Sequence, residues 1–75
     1  MKELLETIAK ALVQHPEDVK VVEEDKDGEI RLTLSVNESD MGKVIGRSGR
    51  IAKAIRSVVS AAASKADDKV TVDIR

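Results

Sequence analysis

The sequence predicts an α+β fold in the order α-β-β-α-α-β, a three-stranded mixed sheet with its helices packed on one face. Three observations carry this. Apolar residues recur at helical spacing before residue 15 and again after residue 50. Two stretches, 30–36 and 70–74, alternate apolar with polar residues. Two helical segments separate those stretches, and a crossover of that kind joins parallel strands with a right-handed connection. Seventy-five residues suffice for one small module, so 1–75 is read as a single domain without room for a separate catalytic lobe.

The first helix is expected over about residues 2–14, with Leu4, Leu5, Ile8, Ala9 and Leu12 gathered on one side. His15-Pro16 ends it, because the proline ring disfavours helical geometry at the preceding residue. Val19, Val21 and Val22 then form a β-branched run, and Asp25-Lys26-Asp27-Gly28 closes a hairpin into the alternating Ile30, Leu32, Leu34 and Val36. The period of two turns those four aliphatics to the core and leaves the register of the first strand open.

A short helix of barely two turns follows from Glu38, capped by Ser39 or Asn37, with Asp40 where negative charge suits a helix start. Gly46 and Gly49 interrupt it, and a longer helix runs from about Arg50 to Ala66. On that helix Ile51, Ile55, Val58, Val59 and Ala62 share the packing face, while Arg50, Lys53 and Arg56 lie opposite. The run Ala61-Ala62-Ala63 is expected to allow close approach to the sheet. Asp67-Asp68 breaks the helix before the last strand, Val70, Val72 and Ile74.

The formal net charge of -1 hides a division along the chain. Residues 41–66 hold Lys43, Arg47, Arg50, Lys53, Arg56 and Lys65 and no acid, a charge of +6, which leaves -7 for the remainder. There is no cysteine and only one histidine, so disulfides, thiol catalysis and zinc knuckles are excluded and no metal site is expected. The N-terminus carries no apolar run fit for a signal peptide or membrane span, and the expected location is the cytoplasm.

The cationic segment centres on Gly46-Arg47-Ser48-Gly49. Two glycines bracketing two residues between helices make a tight turn whose backbone a ligand can approach closely, and the turn opens a helix N-terminus suited to phosphate. The Walker loop does not match, because only three residues separate Gly42 from Gly46 and Arg47 stands where lysine is required. The dinucleotide fingerprint fails as well, since the glycines follow a helix rather than a strand. No acid lies near the loop to hold a catalytic metal, so an enzyme is not expected.

Val44-Ile45-Gly46-Arg47-Ser48-Gly49 resembles the V-I-G-x-x-G signature of the KH domain, and the element order resembles the bacterial type II arrangement from end to end. The run Gly49-Arg50-Ile51-Ala52-Lys53-Ala54-Ile55-Arg56 is similar to that of the KhpA-type (YlqC) family of small RNA-binding proteins. It departs from many KH domains at Ala52, where isoleucine is common. The resemblance implies a single-stranded RNA backbone held by the loop, with RNA chaperoning or post-transcriptional regulation as the role, and needs no cofactor. It implies RNA-binding residues Lys43, Val44, Ile45, Gly46, Arg47, Ser48, Gly49, Arg50 and Lys53. By the same resemblance Val44, Ile45 and Ile51 are candidates for the floor of an aliphatic groove formed by the short helix, the loop, the long helix and the middle strand, with core packing as the alternative for each. The absence of aromatic residues excludes an RRM-type stacking platform. A homodimer is implied as well, as is a heteromer with a larger KhpB (Jag)-type KH protein. The alternative is a KH scaffold used for protein interaction or dimerisation, with little RNA affinity of its own.

Overall fold

The computed structural model describes residues 1–67 and 69–75. Helix α1 (Lys2–Leu12) leads through a 3₁₀ turn at Pro16–Asp18 to strands β1 (Lys20–Lys26) and β2 (Glu29–Ser35). A second 3₁₀ turn at Glu38–Asp40 opens helix α2 (Met41–Ile45), and a third at Arg47–Gly49 opens helix α3 (Arg50–Lys65), which precedes strand β3 (Lys69–Ile74). The sheet order is β1-β2-β3. Strands β1 and β2 are antiparallel and β2 and β3 parallel, so the predicted mixed sheet and crossover are present.

The hairpin has a two-residue turn, Asp27-Gly28, with φ of 51° and 79°, the type I′ geometry that matches strand twist. It sets Val21 opposite Leu34, which fixes the register that the sequence left open. Leu32 and Leu34 point under the helices with no exposed surface, and Val72 joins them from β3. Farther along β1 the same face presents Glu23 and Asp25, opposite Leu32 and Ile30, yet both acids are exposed. The acidic hairpin tip lies at the Lys69 end of the sheet, whereas the basic loop lies at the other end of α3.

The core joins Leu5 and Ala9 of α1, Val44 of α2, and Ile55 and Val59 of α3 to Val21, Leu32, Leu34 and Val72 of the sheet. The face that α3 buries is turned from the predicted one. Ala52, Ile55, Val59 and Ala63 are buried, while Val58 is 49% exposed. Small residues at 52 and 63 let the helix lie close to the sheet, so the contact line runs through them rather than through the bulkier neighbours. Of the alanine run, only Ala63 is buried. The displaced residues Ile51 and Val58, with Ala54 between them and Arg50 at one end, form a shallow apolar groove with Leu4, Ile8 and Leu12 of α1.

Helix α1 stops two residues short of the predicted end, and the cause is Asp40 rather than Pro16. Val13 is already extended (φ -99°, ψ 160°). The next two amides, Gln14 N–H and His15 N–H, donate to Asp40 Oδ1 (3.1 Å) and Oδ2 (3.0 Å) instead of continuing the helix. His15 Nδ1 lies 3.1 Å from the same Oδ2 and Lys43 Nζ lies 3.5 Å from Oδ1. His15 thus stands beyond the helix, before the turn that Pro16 begins. Asp40 has no exposed surface, and it is the buried charged residue among those described. Asn37 is the cap of its turn: its Oδ1 accepts from Ser39 N–H at 2.9 Å, and its Nδ2 donates to Asp18 at 2.8 Å. At the far end of α3, Asp67 takes φ 61° as the chain leaves the helix; the predicted helix breaker Asp68 lies outside the described residues.

Burial alone would raise the pKa of Asp40, but the amides of Gln14 and His15 and the His15 imidazole outweigh it and hold the carboxyl below its ordinary value of 3.8. A lowered folded-state pKa adds stability above the unfolded value, and that stability disappears as pH falls through the folded one. Asp40→Asn is therefore expected to lower the melting temperature at neutral pH and to flatten its decline below about pH 4. Thermal melts by circular dichroism across acid pH test this, and a neutral-pH melting temperature equal to that of the parent protein would contradict it.

Candidate nucleic-acid interface

The loop between α2 and α3 owes its shape to backbone that side chains resist. Gly46 adopts φ 75°, ψ 175°, a region almost restricted to glycine. A Cβ there would lie 2.6 Å from Ile51 Cγ1, so the missing side chain makes room for Ile51. Gly49 has φ 72°, ψ 16°, the left-handed helical region, with nothing within 4 Å of the Cβ position. Between them Ser48 takes φ 57°, ψ 27°, an uncommon conformation for a residue with a side chain. The sequence argument that missing side chains admit a ligand thus applies at Gly49, while at Gly46 the space is filled by the protein itself.

Three hydrogen bonds lock the turn. Gly46 N–H donates to Gly42 O at 2.9 Å and Gly49 N–H to Gly46 O at 3.2 Å. Arg50 N–H donates to Arg47 O. The amides of Arg47 and Ser48 take part in none of these, and both residues are exposed at the tip. Two of the amides expected to face an anion, those of Gly49 and Arg50, are spent inside the turn.

The predicted residues separate into three groups. Arg47, Ser48, Gly49 and Arg50 come together at the exposed corner, with Lys53 exposed one turn along α3. Lys43 lies on the approach but is paired with Asp40, an acid immediately outside the acid-free segment. Val44 is a correction: it has no exposed surface, so it holds α2 to the core and has no atom to offer a ligand. Ile45 is 37% exposed and remains available. Ile51 is half-buried over Gly46 and faces the α1 side.

The groove wall also differs from the expectation. The strand beside α3 is the edge strand β3, because the sheet places β2 in the middle under the helices. A groove between them is lined by Arg56, Ser60, Val70, Thr71, Val72 and Asp73. Arg56 Nε donates to Val72 O at 3.2 Å, which ties the arginine to the strand edge. Helical periodicity placed Arg56 on the cationic face, but only the strand order reveals its partner. Among the described residues no group of three or more His, Cys, Asp or Glu is placed to hold a metal ion, and no helix is long and apolar enough to cross a membrane.

Comparison with known proteins gives a consistent picture. The family model described as KhpA/KhpB, KH domain matches residues 2–74. A protein of Clostridium perfringens named RNA-binding protein KhpA is 61% identical over 74 residues, covering 99% of this chain and 99% of its own. Its namesake in Halalkalibacterium halodurans is 57% identical, covering 99% and 97%, and that of Bacillus subtilis 47%, covering 99% and 91%. Among solved structures, Aquifex aeolicus Era bound to GDP and aluminium fluoride matches with a TM-score of 0.67 at 18% identity, over 97% of this chain and 28% of that one. Era bound to a nucleotide analogue and a segment of 16S ribosomal RNA matches with a TM-score of 0.61, also at 18% identity, over 97% and 28%. The Era likeness is one of fold. With the loop, the topology and the whole-chain match in agreement, this chain belongs to the KhpA/KhpB KH-domain family.

Proposed function

We propose that this chain is a cytoplasmic RNA-binding protein that holds the backbone of single-stranded RNA at the Gly46–Gly49 loop and breaks no bond. The observation that carries the reading is the corner at the head of a basic helix, where Arg47 and Ser48 are exposed and nothing lies within 4 Å of the Cβ position of Gly49. Relatives of up to 61% identity are named RNA-binding protein KhpA, which supports it. Arg47 and Ser48 contact phosphates from the tip, Gly49 lets the strand lie against the main chain, and Arg50 and Lys53 add attraction at longer range. Arg56, committed to Val72, contributes less.

A second reading concerns self-association, and the groove of Leu4, Ile8, Leu12, Ile51, Ala54 and Val58 favours it. A lone module covers few nucleotides, and pairing two copies through this apolar surface brings two loops to one RNA. A two-fold contact presents the same patch from each copy. The larger KhpB-type protein of the same family is the alternative occupant of that patch.

Three outcomes are expected. With three or four phosphates neutralised, log K against log salt for a short RNA has a slope of about -2 to -3, and Arg47→Asp with Ser48→Asp abolishes most binding while the protein stays folded; undiminished binding by the folded double variant sinks the loop reading. Gly46→Ala, which drives a Cβ into Ile51 at 2.6 Å, destabilises by at least about 2 kcal/mol, roughly 10 °C in melting temperature, whereas Gly49→Asn stays near the parent protein; equal melting temperatures for the two refute the separate roles given to these glycines. Val58→Asp converts a dimer to a monomer in light scattering, and a monomeric parent protein at high concentration removes the second reading.

A further inference from the structure

Asp40 has a place in the loop's chemistry that the phosphate-binding residues do not include. It is fully buried and anionic, and it touches a histidine on one side and a loop-proximal lysine on the other. Oδ2 faces His15 Nδ1 at 3.1 Å and Oδ1 faces Lys43 Nζ at 3.5 Å. Lys43 stands three residues before Gly46 and its side chain is 40% exposed; that of His15 is 42% exposed, so solvent protons reach it. His15 is the chain's one histidine, a side chain that gains a positive charge when it takes up a proton.

Resting on the loop reading above, we infer that Asp40 is a positioning residue for Lys43 and that protonation of His15 releases Lys43 to a phosphate of the bound strand. With His15 neutral, Asp40 and Lys43 compensate each other and the cluster adds no net charge beside the loop. With His15 protonated, the imidazolium satisfies the carboxylate, the cluster carries +1, and the ammonium is free to leave the carboxylate for the strand. Other ionisable groups on the surrounding elements are Lys10 near the end of α1, Glu17 and Asp18 on the turn after His15, and Glu38 before Asp40. Asp18 accepts from Asn37 at 2.8 Å. None of these four shares a hydrogen bond with His15 or Lys43, so Asp40 is the group through which the two communicate.

The test measures binding of a short oligouridine, whose bases do not titrate in this range, by filter retention against salt at about pH 5.5 and about pH 7.5. One further phosphate contact steepens the log K against log salt slope by about 0.7 and tightens binding about three- to five-fold near 0.1 M salt. The parent protein is expected to show both changes on acidification. His15→Gln, which keeps a donor toward Asp40 but takes no proton, shows neither, and Lys43→Gln loses the added slope while still binding through the loop. A parent slope unchanged with pH overturns the inference, as does a His15→Gln protein that keeps the pH response. In either case, loss of binding by the Arg47→Asp, Ser48→Asp variant at both pH values leaves the loop reading standing. Binding by that variant equal to the parent's sinks the loop reading and this inference with it.

Discussion

A buried carboxylate decides how the helices of this protein meet. Taking a charge out of water is costly unless hydrogen bonds replace its hydration, and Asp40 recovers that cost from two amides of a segment some twenty-five residues earlier in the chain. The consequence is geometric. The amides of Gln14 and His15 are diverted from α1, the helix ends early, and the chain following it is fastened to the turn that starts α2. Because α2 has only five residues, a fixed start leaves little freedom for its end, and its end is the glycine loop. Val44, one turn beyond Asp40, adds an apolar anchor to the polar one.

The loop follows the same logic of fixed ends and an open middle. Ile51 reaches back over Gly46, so the long helix grips the entrance to the turn, and the hydrogen bonds from Gly49 and Arg50 close its exit. What remains unsatisfied is the tip. Ser48, held at positive φ between the two glycines, stores a modest strain of order 1 kcal/mol that the surrounding packing supports. A tip held in this way has little entropy left to lose on binding, which suits the proposed phosphate contact in a small module with few contacts to offer.

Much of this was legible in the sequence, and the failures have identifiable physical causes. Alternation over Ile30 to Val36 and the Asp27-Gly28 pair determine the hairpin, because strand period and turn type are local properties. The loop glycines and the cationic segment are equally local. Asp40 was visible as an acid near a helix start, yet its real partners come from α1, and no local rule reports such a contact. The signature leaves Val44 open between groove floor and core, because burial of a single side chain in a short helix depends on what lies beneath it. The rotation of α3 was missed for a related reason. Hydrophobic periodicity weighs Val58 above Ala52 and Ala63, whereas packing against a sheet selects small residues at the line of closest approach.

That rotation gives α3 three distinct faces. At about 100° per residue, Ala52, Ile55, Val59 and Ala63 define the buried side. Ala54 and Val58 lie roughly 120° away on the apolar side shared with α1, and Lys53, Ser60 and Arg56 lie the other way at roughly 115°, 95° and 55°, with Arg56 and Ser60 lining the groove beside β3. Had the helix buried Val58 as its periodicity suggests, the apolar side would have vanished into the core, leaving only a cationic face. The two surfaces proposed above thus lie mainly on different sides of α3, meeting at Arg50, which belongs to the loop corner and also lines the groove shared with α1. The acidic hairpin completes the arrangement at the opposite end of the sheet, about 24 Å of helix from the loop. A polyanion is repelled at that end and attracted at the other, so a chain with net charge -1 still carries a field of the polarity that the proposed loop site requires.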